Sequence, residues 1–154
     1  MEWARIQTSD GTILTGVVKD GQLHPRSTLG SDDVAGDPVP MDKVMLLPPC
    51  VPGKFIGLWN NFQAAAERNG WDIPAHPLYF LKPLSSLAGP GATVILPDDI
   101  GRVLFEGELG IVIGKTCSKI SEEDAADAIL GYSCVNDITA LDILNADPSF
   151  PQWT

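Results

Sequence analysis

Residues 102–112, with the sequence RVLFEGELGIV, form the longest strand candidate in the chain, and the remaining elements are interpreted around them. Glu106 and Glu108 stand at positions i and i+2, so on a strand both side chains project from the same face, roughly 7 Å apart. The apolar residues around them predict a central, well-buried strand. Because two like charges on a covered face are costly, a divalent cation between them would offset that cost.

A third acid, Asp137, stands further along the chain in the apolar stretch 135–138. Three carboxylates together with water suit a hard cation, so the sequence favours Mg²⁺, with Mn²⁺ or Ca²⁺ as alternatives. No cluster of His and Cys indicates a Zn²⁺ site. The competing interpretation is structural: Glu106 and Glu108 would lie on a solvated antiparallel face, and Asp137 would cap a turn.

Composition limits the class of protein. The chain has 154 residues and a net charge of −10, and it contains 15 Gly and 13 Pro. These values predict one domain or little more, rich in short strands and tight turns, and therefore a mixed α+β fold that is mostly β. The acidic charge argues against nucleic acid as a partner. No apolar run is long enough to span a membrane, and no signal peptide is recognisable.

The three cysteines, Cys50, Cys117 and Cys134, are odd in number and lack metal-binding spacing. We expect reduced thiols in a cytoplasmic protein, buried as small apolar side chains. His24 and His76 each stand beside a proline in segments that resemble loops, which predicts surface roles.

Turn signals divide the chain at a polar, Pro-rich linker over residues 32–40. Residues 1–43 predict a small N-terminal β domain with strands at 3–7 and 12–18 and turns at 9–11 and 19–21. Residues 44–154 form the main unit. Its predicted strands are 54–58, 78–82, 93–96, 102–112 and 132–136. A helix over 62–68 should be capped by Asn60 or Asn61, and another over 121–130 should begin at Ser121 and end at Gly131.

A series of motifs in the main unit resembles the fumarylacetoacetate hydrolase family over residues 44–154. The glutamate pair and the Asn-Asp element are the specific ones, and the Pro and Gly turns are much less so. In chain order the motifs are residues 54–58 (KFIGL), 59–62 (WNNF), 80–83 (FLKP), 105–109 (FEGEL), 131–132 (GY), 136–140 (NDITA) and 152–154 (QWT).

The resemblance implies a β-roll fold and an enzyme in which Glu106, Glu108 and Asp137 bind Mg²⁺ or Mn²⁺. Members of the family cleave C–C bonds in acylpyruvates and fumarylacetoacetate, decarboxylate oxaloacetate-like acids, or isomerise unsaturated hydroxy-diacids. Each reaction develops negative charge on an oxygen next to a carbonyl group, which a divalent cation stabilises. The expected ligand is therefore a small 2-oxo or β-dicarbonyl acid.

Three positions depart from the family pattern. Hydrolysing members use a His–Glu pair to activate water, and Gln63 stands where the His is expected. An amide cannot act as a general base near neutral pH, so Gln63 puts hydrolysis in doubt. The acid of this pair is expected at the position of Ala66, and Glu67 lies one residue beyond it. The alternative role for Glu67 is that of an exposed helix residue. Leu141 replaces an Arg found in many relatives, and Asp142 follows it.

The resemblance also implies that three further residues contact the substrate. Lys82 would lie near the substrate carboxylate, with Ser85 and Ser86 as hydrogen-bond donors, although an exposed lysine at the end of a strand is an equal alternative. Relatives continue beyond residue 154 into a second half of the β-roll. We therefore expect an incomplete roll in this chain, completed by a complementary chain, or further association as a homodimer.

The sequence is consistent with three functions. The first is metal-dependent hydrolysis of C–C bonds in 2-oxo or β-diketo acids. The second, motivated by Gln63, is decarboxylation or tautomerisation of oxaloacetate-like or unsaturated hydroxy-diacids. The third belongs to a different class, namely a metal-binding subunit without catalytic activity.

Overall fold

The computed structural model describes residues 1–149. The expected motif at 152–154 lies outside the described residues. The fold is mostly β with few helices, as predicted. By contacts between residues, the chain divides into residues 51–88 and a second unit made of residues 1–50 together with the segment from residue 89 onward. The proposed division into a domain of residues 1–43 and a main unit from residue 44 stays a prediction.

The N-terminal segment forms a five-stranded sheet in the order β4-β3-β2-β1-β5. All of its neighbouring strands are antiparallel. Ile6 and Leu23 are fully buried and form its core. The strands are β1 (Glu2–Gln7), β2 (Ile13–Lys19), β3 (Gln22–Arg26), β4 (Val39–Pro40) and β5 (Met45–Leu46).

The turns that connect β1, β2 and β3 follow the sequence signals. Gly11 has a φ of 87°, and Asp20 and Gly21 have φ values of 50° and 73°. Two consecutive positive φ angles are typical of the tight hairpin turns that match strand twist, so the Asp-Gly pair explains the β2–β3 connection. His24 was expected in a loop, but it lies in β3 opposite Val17. Pro25 beside it had suggested a loop.

Residues 51–88 contain an antiparallel hairpin of β6 (Phe55–Trp59) and β7 (Leu78–Lys82) and a helix, α1 (Gln63–Asn69). The helix ends at Gly70, whose φ of 69° gives the left-handed conformation expected there. The expected cap was wrong, because the residue before the helix is Phe62 and no side chain caps it. Asn60 Nδ2 instead donates to the carbonyl oxygen of Asp72, 2.9 Å away.

The second unit also contains the long ribbon of β8 (Val103–Ile113) and β9 (Ile129–Ala140), followed by a short helix, α2 (Leu141–Leu144). No strand forms at residues 93–96, where Ile95 is 88% exposed and packs against no partner strand. The predicted helix over 121–130 is reduced to a 3₁₀ turn, Ala125–Ala128, and Gly131 lies inside β9. The β-branched Ile129 and the aromatic Tyr132 favour the extended conformation that β8 pairs with.

In the described part of the chain β8 pairs only with β9. The expectation of a central, well-buried strand was therefore wrong: Phe105 is 83% exposed, and Glu106 and Glu108 are half-buried. Among residues 1–149, no helix is long and apolar enough to cross a lipid bilayer.

Candidate metal centre

The ladder between β8 and β9 places the three predicted acids on one face. Glu106 is directly opposite Asp137, and Glu108 is opposite Val135. Directly opposed residues of an antiparallel pair project to the same side, and so do residues two apart on one strand. The side chains of Glu106, Glu108 and Asp137 therefore share a face, and all three are half-buried.

The charges of these acids act on one another. Partial burial raises the pKa of the Glu108 carboxyl above its ordinary value, and the neighbouring charges of Glu106 and Asp137 raise it further. Each of these causes disfavours the ionised form. This face of the ribbon is therefore a place where a bound positive charge would be stabilised.

The carboxylates do not converge on a common point, however. Within the part of the chain that the structure describes, no three His, Cys, Asp or Glu side chains lie close enough together to hold a metal ion. Like charges on adjacent residues repel, which favours side-chain conformations that separate them. The backbone register thus brings the three predicted residues to one face, while binding of one cation by all three requires a change of side-chain conformation.

Glu106 is tied to β9 by two hydrogen bonds that the sequence analysis did not predict. Thr139 Oγ1 donates to Glu106 Oε1. The backbone N–H of Glu106 donates to Asn136 Oδ1 at 3.2 Å. Thr139 could have been found from the sequence, because it stands two residues after Asp137 and therefore on the same face of a strand.

Asp142, in α2 directly after β9, is hydrogen-bonded to Arg102, which stands directly before β8. Its Oδ2 accepts a hydrogen bond from the backbone N–H of Arg102, and its Oδ1 accepts one from Arg102 Nε, each at 2.8 Å. The backbone bond and then the guanidinium bond lower the pKa of Asp142. The role of Asp142 in this structure is therefore to hold the start of β8 against the start of α2.

The predicted catalytic pair lies in α1 of the unit formed by residues 51–88. Gln63 Nε2 donates to Glu67 Oε1 at 2.8 Å, and both residues are exposed. The two side chains are one helical turn apart, which is the spacing at which helix residues meet. The hydrogen bond orients the amide of Gln63, but it does not give that residue a proton-accepting group.

In the same unit, the Lys82 ammonium lies 5.5 Å from the centre of the Phe80 ring. Lys54 and Lys82 both line a shallow hollow between the ends of β6 and β7. Ser85 lies in the 3₁₀ turn Leu84–Ser86, where Ser86 Oγ donates to the carbonyl oxygen of Pro83 at 2.8 Å. The substrate-binding roles of Lys82 and Ser85 stay predictions.

The cysteines only partly match expectation. All three are free thiols, but Cys117 and Cys134 are exposed, and only Cys50 is half-buried. Burial raises the pKa of the Cys50 thiol, which favours its unreactive protonated form. Cys134 is exposed because it lies on the face of β9 opposite to Asp137.

The identity of the family follows from comparison with known proteins. Residues 54–154 match the family described as fumarylacetoacetate (FAA) hydrolase, C-terminal. The chain therefore belongs to the fumarylacetoacetate hydrolase family, as the resemblance implied. It spans 46% to 60% of the length of the first curated relatives it matches.

Individual relatives include both hydrolases and isomerases. The 2,4-didehydro-3-deoxy-L-rhamnonate hydrolase of Sphingomonas sp. is 34% identical, over 95% of this chain and 52% of the relative. A structure of 5-carboxymethyl-2-hydroxymuconate delta-isomerase from Mycobacterium smegmatis is 34% identical with a TM-score of 0.81, over 99% of this chain and 59% of that one.

A third relative was solved with a metal ion. The maleylpyruvate hydrolase of Sphingobium sp. SYK-6, in complex with manganese(II) ion and pyruvate, is 29% identical with a TM-score of 0.67. The similarity covers 90% of this chain and 58% of that one. Divalent metal ions are thus found in the family.

Proposed function

We propose that this chain provides the metal-binding part of an enzyme that hydrolyses a C–C bond in a 2-oxo or β-dicarbonyl acid. The observation that carries the proposal is the shared face of Glu106, Glu108 and Asp137 on the β8–β9 ribbon. Its support from relatives is the pair of hydrolases, one of which was solved with manganese and pyruvate.

The donor set fits a hard divalent cation. Carboxylate oxygens are the preferred ligands of Mg²⁺ and Mn²⁺. Partial burial raises the pKa of Glu108, and the negative charges of Glu106 and Asp137 raise it further. Glu106, Glu108 and Asp137 would hold the ion, with Mg²⁺ favoured and Mn²⁺ or Ca²⁺ as alternatives. When bound, such an ion polarises a carbonyl group and stabilises negative charge that develops beside it.

Gln63 favours a second candidate function, which is decarboxylation or tautomerisation of a related acid. Neither reaction needs an activated water molecule, so the absence of a base at position 63 affects them less than hydrolysis. The isomerase from Mycobacterium smegmatis supports this candidate. Under either candidate, Glu67 is proposed to act only by orienting the side chain at position 63.

Calorimetric titration with Mn²⁺ or Mg²⁺ tests the metal site directly. We expect the wild-type protein to bind one ion per chain, and Asp137→Asn to weaken binding at least tenfold. Asp98→Asn is the matched control, because Asp98 is an exposed carboxylate outside the β8–β9 ribbon. Equal affinity in all three proteins would overturn the proposal.

Assays with an acylpyruvate and with oxaloacetate then separate the two reactions. Metal-dependent cleavage of the acylpyruvate supports hydrolysis, whereas turnover of oxaloacetate alone supports the second candidate. Metal binding without turnover of either acid, in the presence of a chain corresponding to the remainder of the relatives, supports the non-catalytic subunit. The homodimer and the cytoplasmic location stay predictions.

A further inference from the structure

Glu106 is held against β9 through both its backbone and its side chain. Its backbone N–H is bonded to the side chain of Asn136, and its carboxylate accepts a hydrogen bond from Thr139. Asn136 and Thr139 stand on either side of Asp137 in β9. Glu106 is therefore fixed at two points to the strand segment that contains the acid opposite to it.

The direction of the Thr139 bond follows from the ladder. Thr139 is paired with Leu104 and Asp137 with Glu106, so Glu106 reaches diagonally across the ribbon to Thr139. This diagonal distance is within reach of a long side chain. Thr139 is β-branched, which restricts its χ1 angle and hence the direction of its hydroxyl group.

We propose that Thr139 is a positioning residue, which holds one carboxylate oxygen of Glu106 and leaves the other oxygen to bind the cation. The inference rests on the proposed function, because it assumes a divalent cation bound by the shared face of Glu106, Glu108 and Asp137. A hydroxyl group that donates a hydrogen bond to a metal-binding carboxylate fixes the orientation of that carboxylate. Loss of such a hydrogen bond typically weakens metal binding about 10–100-fold.

The same ribbon offers a matched control. Ser133 stands on the same face of β9 as Thr139, separated from it by an even number of residues. Its hydroxyl group donates to the carbonyl oxygen of Cys134 at 3.2 Å and not to a carboxylate. Removal of the Ser133 hydroxyl therefore removes a polar group from this face without freeing an acid.

Calorimetric titration with Mn²⁺ alone, on the full chain, tests the role of Thr139. Thr139→Val keeps the shape and removes the hydroxyl group, and Thr139→Ala removes it without the valine methyl groups. We expect each to weaken Mn²⁺ binding about 10–100-fold. Thr139→Ser, which keeps the donor, and Ser133→Ala should both retain the wild-type affinity.

Several results would overturn the inference. They are unchanged Mn²⁺ affinity in Thr139→Val and Thr139→Ala, tighter binding in either variant, or equal weakening in Thr139→Ser. The titration stoichiometry reports the fraction of competent sites, so the Kd of the folded molecules is obtained even where part of the sample unfolds. If wild-type protein binds no Mn²⁺, the proposed function itself fails, which distinguishes the two.

Discussion

At the scale of single residues, the candidate site combines destabilising charge with directed hydrogen bonds. Glu108 is surrounded by the charges of Glu106 and Asp137, and its pKa is raised by burial and by both neighbours. Glu106, in contrast, is bonded to Thr139 and Asn136. The acids on this half-buried face repel one another, and a bound cation would neutralise their negative charge.

Replacement of Glu108 should therefore stabilise the fold while it weakens metal binding. In the presence of EDTA, Glu108→Gln removes one of three like charges, so we expect the free energy of unfolding to rise by roughly 0.2–1 kcal/mol. The increase in melting temperature caused by Mn²⁺ should fall. Thermal unfolding with EDTA and with Mn²⁺ measures both effects, with Glu122→Gln as an exposed control. A lower melting temperature in EDTA would contradict the expectation.

The Gln63–Glu67 pair makes a second prediction at the residue scale. Because Gln63 Nε2 lies 2.8 Å from Glu67 Oε1, Gln63→His should place an imidazole within reach of the same carboxylate. A positioned general base contributes about 10²–10⁴-fold to rate. We expect acylpyruvate cleavage to increase at least tenfold, with a smaller effect on oxaloacetate.

The double variant Gln63→His/Glu67→Gln is the control for this gain, because it keeps the imidazole and removes the carboxylate that orients it. The gain should be reduced in the double variant. Steady-state rates at saturating Mn²⁺ measure the effect. An unchanged rate of acylpyruvate cleavage in Gln63→His would show that position 63 does not limit hydrolysis.

At the scale of elements, Asp142 anchors the β8–β9 ribbon where β8 begins. Hydrogen bonds from Arg102 lower the pKa of Asp142 in the folded state below its value in the unfolded state. The stabilisation is therefore complete above the unfolded pKa and is lost as the pH falls through the folded pKa. Asp142→Asn should lower the melting temperature at pH 7, and this difference should shrink below about pH 4.

Melting temperatures of wild-type protein and Asp142→Asn between pH 3 and pH 7 provide the measurement. Asp147→Asn serves as the control, because Asp147 is an exposed carboxylate after α2 whose hydrogen bond comes from the backbone N–H of Ser149, two residues further on. A difference between wild-type and Asp142→Asn that stays constant over this pH range would show that the anchor does not depend on the charge of Asp142.

The close approach of β2 and β3 gives the second prediction at this scale. A Cβ atom at Gly16 would collide with the backbone carbonyl group of His24 on the paired strand. Because the obstruction is backbone, Gly16→Ala should destabilise the protein by roughly 1–3 kcal/mol. Gly53→Ala, where a Cβ would meet open space, should be close to neutral in urea unfolding. Equal stability of the two variants would contradict this interpretation.

The sequence predicted strands well where local signals agreed. Alternating residues and Asp-Gly turns placed β1 and β2 within one or two residues of their observed bounds, and the length of 102–112 predicted β8. The prediction of strands failed where the conformation of a segment depends on pairing with another strand. Residues 93–96 have strand-forming side chains but no strand to pair with, and residues 129–131 join β9 because β8 is available.

The candidate site, like the strands, could be predicted only in part. Period-two alternation placed Glu106 and Glu108 on one face, and the family motifs added Asp137 as a metal ligand. The pairing of Glu106 with Asp137, which brings Asp137 to that face, depends on register. The position of Thr139 on that face follows from its spacing to Asp137, but neither its hydrogen bond to Glu106 nor the exposure of Phe105 follows from local sequence. Register and burial depend on contacts between residues that are distant in the chain, which local sequence patterns do not reveal.

At the scale of the whole molecule, the ribbon has a second, apolar face opposite to the acids. Phe105 is 83% exposed and Tyr132 is 64% exposed, and Leu109 and Ile111 stand on the same face. Contiguous apolar surface of this kind marks interaction sites in proteins. Because a net charge of −10 opposes association of like copies in general, we expect the apolar face itself to drive association of two copies, as in the predicted homodimer.

Light scattering after size-exclusion chromatography tests this association. We expect wild-type protein to have a mass about twice the chain mass of 16.5 kDa, and Phe105→Asp to shift it towards the monomer, since a charge would be buried at the contact. Ile95→Asp is the matched control, because Ile95 is 88% exposed and lies outside the ribbon. Equal dissociation by both substitutions would show that surface charge in general, and not this apolar face, controls association. A monomeric wild-type protein would contradict the homodimer directly, and the apolar face would then need a different chain to cover it.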